Sequence, residues 1–395
     1  MRKIILPLAL LLLFAFEIMR VFFIMPFPGS QYDNTVDLAY FLHRVIFWVR
    51  IILLVIIFWQ GYKLIKNRKW GRLTFTIIFL VLFGLIYYIL NFRLIADHMF
   101  YQPENKIFAT ASENKVGMGK LIIGVSLNGE ERAYPIEIIG YHHQVRDIVG
   151  GKPIMATYCT VCRTGRVYDP VYKGKEETFR LVGMDHFNAM FEDETTKSWW
   201  RQATGEAVTG PEKGNSLTEI FSEQMTLKAW LTKYPDSKIM QPDEKFLQDY
   251  ESLAGFDEGT IQSDLEMRDK NSWQFKSWVI GVDHNGYEKA YDWNDVVKGK
   301  VINDSIPGTA ILIVIENDLQ NFHVYESNLN GQSLKFTLDE TGDFLVDNIS
   351  NSKWNMNGVC TEGLFKDSKL KPVQAYQEFY HSWKQFHPGS TYFGK

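Results

Sequence analysis

The sequence predicts an N-terminal three-helix transmembrane region followed by a mostly-β (α+β) soluble region made of two tandem, pseudo-equivalent copies of one domain. Three observations predict it. Long apolar runs are confined to the first hundred residues, the rest of the chain alternates short strand-like runs with turn residues, and that second part resembles itself at a constant spacing.

The apolar runs are residues 4–26, 45–62 and 73–92. Each has the length a helix needs to cross about 30 Å of hydrocarbon. A signal peptide would account for the first run alone, but no small-residue cleavage site follows it and two further spans come after. Basic residues set the orientation. Arg2 and Lys3 precede the first run, and Lys63, Lys66, Arg68, Lys69 and Arg72 fill the second connection, whereas the first connection holds Asp33 and Asp37. The expected topology has a cytoplasmic N-terminus, residues 100–395 outside and the lipid bilayer as partner. Glu17, Arg20 and Arg50 fall at membrane depth, where charged residues face a bundle interior and pair. A Glu17–Arg20 or Glu17–Arg50 ion pair is expected.

Residues 101–395 carry 31 Lys and Arg against 42 Asp and Glu, a net charge near −11. That balance argues against nucleic acid or an anionic membrane surface as a partner. Three cysteines, Cys159, Cys162 and Cys360, do not make a disulfide scaffold.

Self-similarity organises this region. Residues 124–134 read GVSLNGEERAY and residues 281–291 read GVDHNGYEKAY, a spacing of 157. It continues through Asp147 and Asp304, Tyr168 and Tyr325, and Leu181 and Leu338, then shifts to 153 for Gly210 and Gly363, Trp230 and Trp383, and Pro235 and Pro388. The expected division is a membrane region at 1–99, a first copy at 100–240, a linker or insertion at 241–274, and a second, degenerate copy at 275–395. Strands are expected at Leu121–Leu127, Ile154–Cys159, Gly165–Val171 and Thr178–Val182, with hairpin turns at Asn128-Gly129 and Asn285-Gly286. Helices near 226–234 and 376–386 should turn Trp230 and Trp383 toward the sheet.

Residues that the copies share reflect the shared fold, so residues special to one copy are better candidates for chemistry. Cys159-Thr160-Val161-Cys162 faces Glu316-Asn317-Asp318-Leu319; His142 and His143 face Gly299 and Lys300; Met184, His186 and Met190 face Thr341, Asp343 and Asp347. A Cys-x-x-Cys pair turns two sulfurs to one point, as metal ligands or as a redox disulfide. With His142, His186 and Met190 as further soft or imidazole ligands, the set favours copper(I) or zinc. The pair leads into a strand, not the helix of a thioredoxin-like site, and Arg163 stands where a c-type haem attachment needs His. The alternative is a non-catalytic binding or assembly protein in which the cysteines form a structural disulfide. Nucleotide fingerprints, phosphate loops and zincin helices are absent from the sequence.

The stretch from Ala156 to Asp169, Ser198-Trp199-Trp200 with Gly205 to Gly210, Trp230 to Asp236, and Gly281 to Tyr291 resemble a bacterial family known as domain of unknown function 3179. The resemblance covers about residues 105–395. The family pattern has Pro after the first cysteine and Gly after the second, where this chain has Thr160 and Arg163, and its His-x-x-x-x-Asp element falls on His142 and Asp147. It implies an extracytoplasmic domain, here on a bacterial inner membrane; three spans depart from the family's simpler secretion signals or lipid anchors. It implies no reaction.

Overall fold

The computed structural model describes residues 4–395; Arg2 and Lys3 of the topology argument lie outside the described residues. Three helices long and apolar enough to cross a membrane open the chain: α1 (Ile5–Phe22), α2 (Val36–Lys66) and α3 (Trp70–Tyr88). α2 is longer at both ends than its apolar run, because polar residues in its first and last turns continue the helix past the apolar stretch. α3 runs into a single wider π turn, Ile89–Arg93.

The chain folds as two compact units. One comprises Met1–Tyr101, Glu177–Arg201 and Gly205–Ser216; the other comprises Gln102–Glu176, Gln202–Thr204 and Leu217–Lys395. The three N-terminal helices thus share a unit with two later segments of the chain. Its unit also holds a four-stranded antiparallel sheet, ordered Ala207–Thr209, Trp199–Arg201, Asn188–Asp193 and Phe179–Asp185. Ile24 and Ala39 pack with Val182, Met190, Trp199 and Val208 in one apolar cluster. Asp37 accepts from Thr209 (2.8 Å) and Lys213 (2.6 Å).

The expected buried ion pairs are present. Arg50 donates to both Glu17 oxygens (2.8 and 2.6 Å), and Arg20 donates to Glu17 at 3.1 Å. Asn91, on the π turn, accepts from both arginines and donates to Glu17. Removing Glu17 would leave Arg20 and Arg50 side by side without their shared carboxylate, which costs about 3–5 kcal/mol.

The second unit is built of small sheets. Leu121–Leu127 and Glu130–Pro135 form a hairpin, flanked by Glu223–Thr226 on one side and by the parallel strand Lys238–Met240 on the other. Trp278–His284 and Tyr287–Asp292 form a second hairpin, flanked by Ala375–Phe379 and by the parallel strand Thr391–Tyr392. Both hairpin turns carry positive φ at Asn and Gly, 51° and 80° at Asn128-Gly129 and 53° and 77° at Asn285-Gly286, as the turn chemistry predicts. Each hairpin is followed by a seven-residue helix, Ile136–His142 or Trp293–Gly299, and by a three-strand meander. Tyr134 donates to Asp147 (2.7 Å) and Tyr291 donates to Asp304 (2.9 Å).

Trp230 and Trp383 are both fully buried, on helices Leu227–Lys233 and Tyr380–Phe386. A Cβ on Gly124 would collide with the Trp230 ring, and one on Gly281 with the Trp383 ring. The two glycines admit the indoles against the strands, which is why Gly and Trp recur together. The indoles donate to Ser237 and Ser390, both at 2.7 Å.

Residues 241–274, expected as a linker or insertion, bury Phe246, Tyr250, Phe256 and Ile261 in the core with Tyr134, Ile139 and Tyr158, so apolar residues inside a polar stretch anchor it. Two expectations need correction. The last helix begins at Tyr380, because Ala375–Phe379 is drawn into the hairpin sheet. The shift in spacing falls earlier than expected. Asp193 accepts from Trp200 and Ser198 as Asp347 accepts from Trp354 and Ser352, so Asp193, not Met190, is the counterpart of Asp347.

Candidate functional site

Lys152–Cys159 is the central strand of its meander, paired to Gln144–Val149 and Thr164–Tyr168. Side chains alternate along it. Ile154, Ala156 and Tyr158 enter the apolar core, which leaves Met155, Thr157 and Cys159 on the other face. There Thr157 donates to the Arg166 carbonyl (2.9 Å), and Gln202 bridges Thr157 (2.9 Å) and Thr164 (2.5 Å). The strand ends at Cys159, and a tight turn closed by the Arg163 amide on the Thr160 carbonyl (3.2 Å) brings Cys162 round beside it.

Both cysteines are fully buried thiols, and the two sulfurs lie within hydrogen-bonding reach of each other. Burial, and then the neighbouring Cys159, hold the Cys162 thiol well above its usual range, against the Lys276 charge and a hydrogen bond with Ser382. Burial also lowers the Lys276 ammonium.

The turn is sealed by residues more than a hundred positions away. The Phe379 amide donates to the Cys162 carbonyl (3.0 Å), Lys276 Nζ donates to the Val161 carbonyl (2.5 Å), and His381 Nε2 lies 3.2 Å from that same carbonyl. Phe275 stacks flat on His381, with centroids 4.2 Å apart. Thr160 donates to Glu266 at 3.2 Å. Burial brings the His381 ring down to about 3, so it is neutral at physiological pH.

Arg163 holds the corner. Its φ of 55° is left-handed, which costs a non-glycine residue about 1–2 kcal/mol. The conformation is compensated by donors to Gln377 (2.9 Å), the Phe256 carbonyl (2.9 Å) and the Asp257 carbonyl (3.0 Å), with the guanidinium over Trp278 at 3.9 Å. Glycine adopts such a φ without this cost; Arg163 adopts it with the support of these tertiary contacts. Arg166, one strand on, pairs with buried Glu378 and lies 3.3 Å over the Tyr376 ring.

The other sequence candidates have surroundings of their own. His142 is buried at the end of its helix, with Nε2 2.7 Å from the Tyr250 hydroxyl and its ring among Tyr141, Phe246 and Tyr250. His186 lies in the unit that holds the N-terminal helices, with Nδ1 2.6 Å from Asp185, and Met190 is core in that same unit. Cys360 is buried on the strand that matches Ala207. Among the described residues, three His, Cys, Asp or Glu donors within 4.8 Å of one another occur at Asp283, Glu288 and His387, and not at the thiols with His142. Sequence reasoning missed Lys276, His381 and Ser382, and also Asp283 and His387. It asked only what the first copy had and the second lacked; the reverse question finds Gly119, Lys228, Ala229, Ser126 and Tyr234 at the matching places.

Residues 102–390 match the family described as protein of unknown function (DUF3179). The chain belongs to this family. The match spans the thiol turn, the residues that seal it and both hairpins, so in this DUF3179 member the site lies wholly within the family's domain. No curated protein and no solved structure matches the chain.

Proposed function

We propose that this protein is a membrane-anchored, extracytoplasmic thiol-redox module whose working pair is Cys159 and Cys162. One observation carries the reading: two thiols in mutual reach, on a turn whose shape is imposed by Arg163 and by the 379–382 segment. Both thiols are closed off from solvent and Cys162 is held protonated by burial, so the step begins with the turn opening far enough for one thiol to give its proton to water; that thiolate attacks a partner disulfide and forms a mixed disulfide. The second thiolate displaces the partner's sulfur, leaving the partner as a dithiol and Cys159–Cys162 as a disulfide. The basic Lys63–Arg72 connection supports a cytoplasmic loop with residues 100–395 outside, on a bacterial inner membrane. The repeated hairpin, helix and meander support two copies of one domain.

A copper or zinc site on the same sulfurs is the less favoured form. It would need His142 to leave Tyr250, or His186 or Met190 to leave its present partners. Full burial of both cysteines favours the second reading, a binding or assembly protein with a structural cross-link.

The test is equilibration of the full chain in detergent with a series of glutathione redox buffers, followed by alkylation and mass analysis. The expected result is a reversible dithiol–disulfide midpoint, with Cys159→Ser or Cys162→Ser trapping a mixed disulfide with glutathione. A pair that stays in one state across the series establishes the structural reading instead.

A further inference from the structure

We infer that Asp283, Glu288 and His387 form a binding site for a divalent first-row metal ion held by oxygen and nitrogen ligands, separate from the thiol pair. Asp283 and Glu288 are directly opposed across the hairpin Trp278–His284 and Tyr287–Asp292. Two carboxylates in that relation repel each other unless a cation joins them. His387 ends helix Tyr380–Phe386, and its ring lies flat on Trp383 with centroids 3.8 Å apart, which fixes its orientation. Nδ1 lies 2.8 Å from Glu288. The residue is only 6 % exposed, yet Nε2 has no hydrogen-bond partner, so a buried ring nitrogen is left unused. One donor atom from each of the three lies within 4.8 Å of the others, a spacing that a small inward movement closes onto one ion.

The first half of the chain supplies the control. There Ser126 and Glu131 are the opposed pair, with the serine hydroxyl donating to the carboxylate at 3.1 Å, and Tyr234 follows the helix with its ring 4.4 Å from Trp230. The fold is thus complete with one carboxylate, a hydroxyl and a phenol. The second half replaces the hydroxyl by a carboxylate and the phenol by an imidazole, and both changes add a metal ligand. The nearby Arg166 does not fill the role of the cation, since it is paired with Glu378. Asp283 is exposed, which leaves the outer coordination positions to water or to a ligand. Two carboxylates and one imidazole without sulfur suit Mn²⁺, Fe²⁺ or Zn²⁺ and disfavour copper(I).

The test is titration of the full chain in detergent with Mn²⁺, read by calorimetry and by loss of the free-ion paramagnetic signal, with Co²⁺ absorption in parallel. One Mn²⁺ per chain is expected, together with a Co²⁺ spectrum that lacks a thiolate charge-transfer band. Asp283→Ser and His387→Tyr, which install the first half's residues, should each weaken binding at least tenfold while melting without metal is kept. Cys159→Ser/Cys162→Ser should leave binding intact. Absence of saturable binding by the unmodified chain, binding that survives both Asp283→Ser and His387→Tyr, or binding that is lost with the cysteines would each overturn the assignment.

Discussion

Two stretches of the chain after the N-terminal helices, residues 121–240 and 275–395, have several local features in common and differ in what they place around them. Both have the Asn-Gly hairpin, the Gly–Trp contact, the Tyr–Asp hydrogen bond, and an Asp that gathers a Trp and a Ser. At the corner between the second and third meander strands they part. In the first half that corner is the thiol turn, whose Cys162 carbonyl accepts the Phe379 amide at the start of the second half's helix. In the second half it is Glu316–Asn321, where Asp318 accepts from the Asn321 amide and Asn321 accepts from the Thr226 amide at the start of the first half's helix. Each half's corner thus meets the other half's helix. The same architectural place carries polar capping in one case and two buried thiols in the other. The second half supplies Lys276, His381 and Ser382 to the thiols and holds the Asp283, Glu288 and His387 group itself.

The largest test of the comparison is the pair of buried indoles. Trp230→Ala and Trp383→Ala should each cost about 3–5 kcal/mol, from lost burial plus the cavity left behind. The two values, measured by denaturant titration in the same detergent, should agree within about 1 kcal/mol; a difference of several kcal/mol would break the equivalence of the halves. Next comes the corner that distinguishes them. Arg163→Gly relieves a strained φ but removes three hydrogen bonds and the stacking on Trp278. A net loss of about 1–3 kcal/mol is expected, with faster alkylation of Cys159 and Cys162. A stabilised variant with unchanged thiol reactivity would show that the guanidinium does not hold the turn.

The smallest effect is pH dependence through the cover. Burial keeps the His381 ring at about 3, below its ordinary value near 6.5, so between these values the folded chain binds fewer protons than the unfolded one. The contribution of this group is therefore fully present above about pH 6.5 and is lost as pH falls, by about 1.4 kcal/mol at pH 5.5. Asp257, raised by burial to about 6, changes stability in the opposite sense over the same range. The measurement that isolates His381 is the difference between the unmodified chain and His381→Phe. That difference should grow in favour of the variant on acidification, and a constant difference from pH 7.5 to 5 would rule the ring out as the cause.

Much of the fold was legible in the chain. Runs of apolar residues long enough for hydrocarbon marked α1, α2 and α3, and Leu121–Leu127 and the Asn-Gly turns followed from alternation and turn chemistry. The close approach of Cys159 and Cys162 follows from their spacing on a turn. These are local matters, decided by side-chain period, φ preference and hydrophobicity over a few residues. What surrounds the thiols was not legible, because Lys276, His381 and Ser382 arrive from another sheet and a distant helix. Nor could spacing alone separate His142, turned to Tyr250, from the thiols, or show that Phe246 and Tyr250 in a polar stretch complete the core. The order of the chain determined the elements and the thiol corner. Only the packing of one half on the other decided which charges, rings and hydroxyls share a dry space, because desolvation and ion pairing depend on distance through space and not along the sequence.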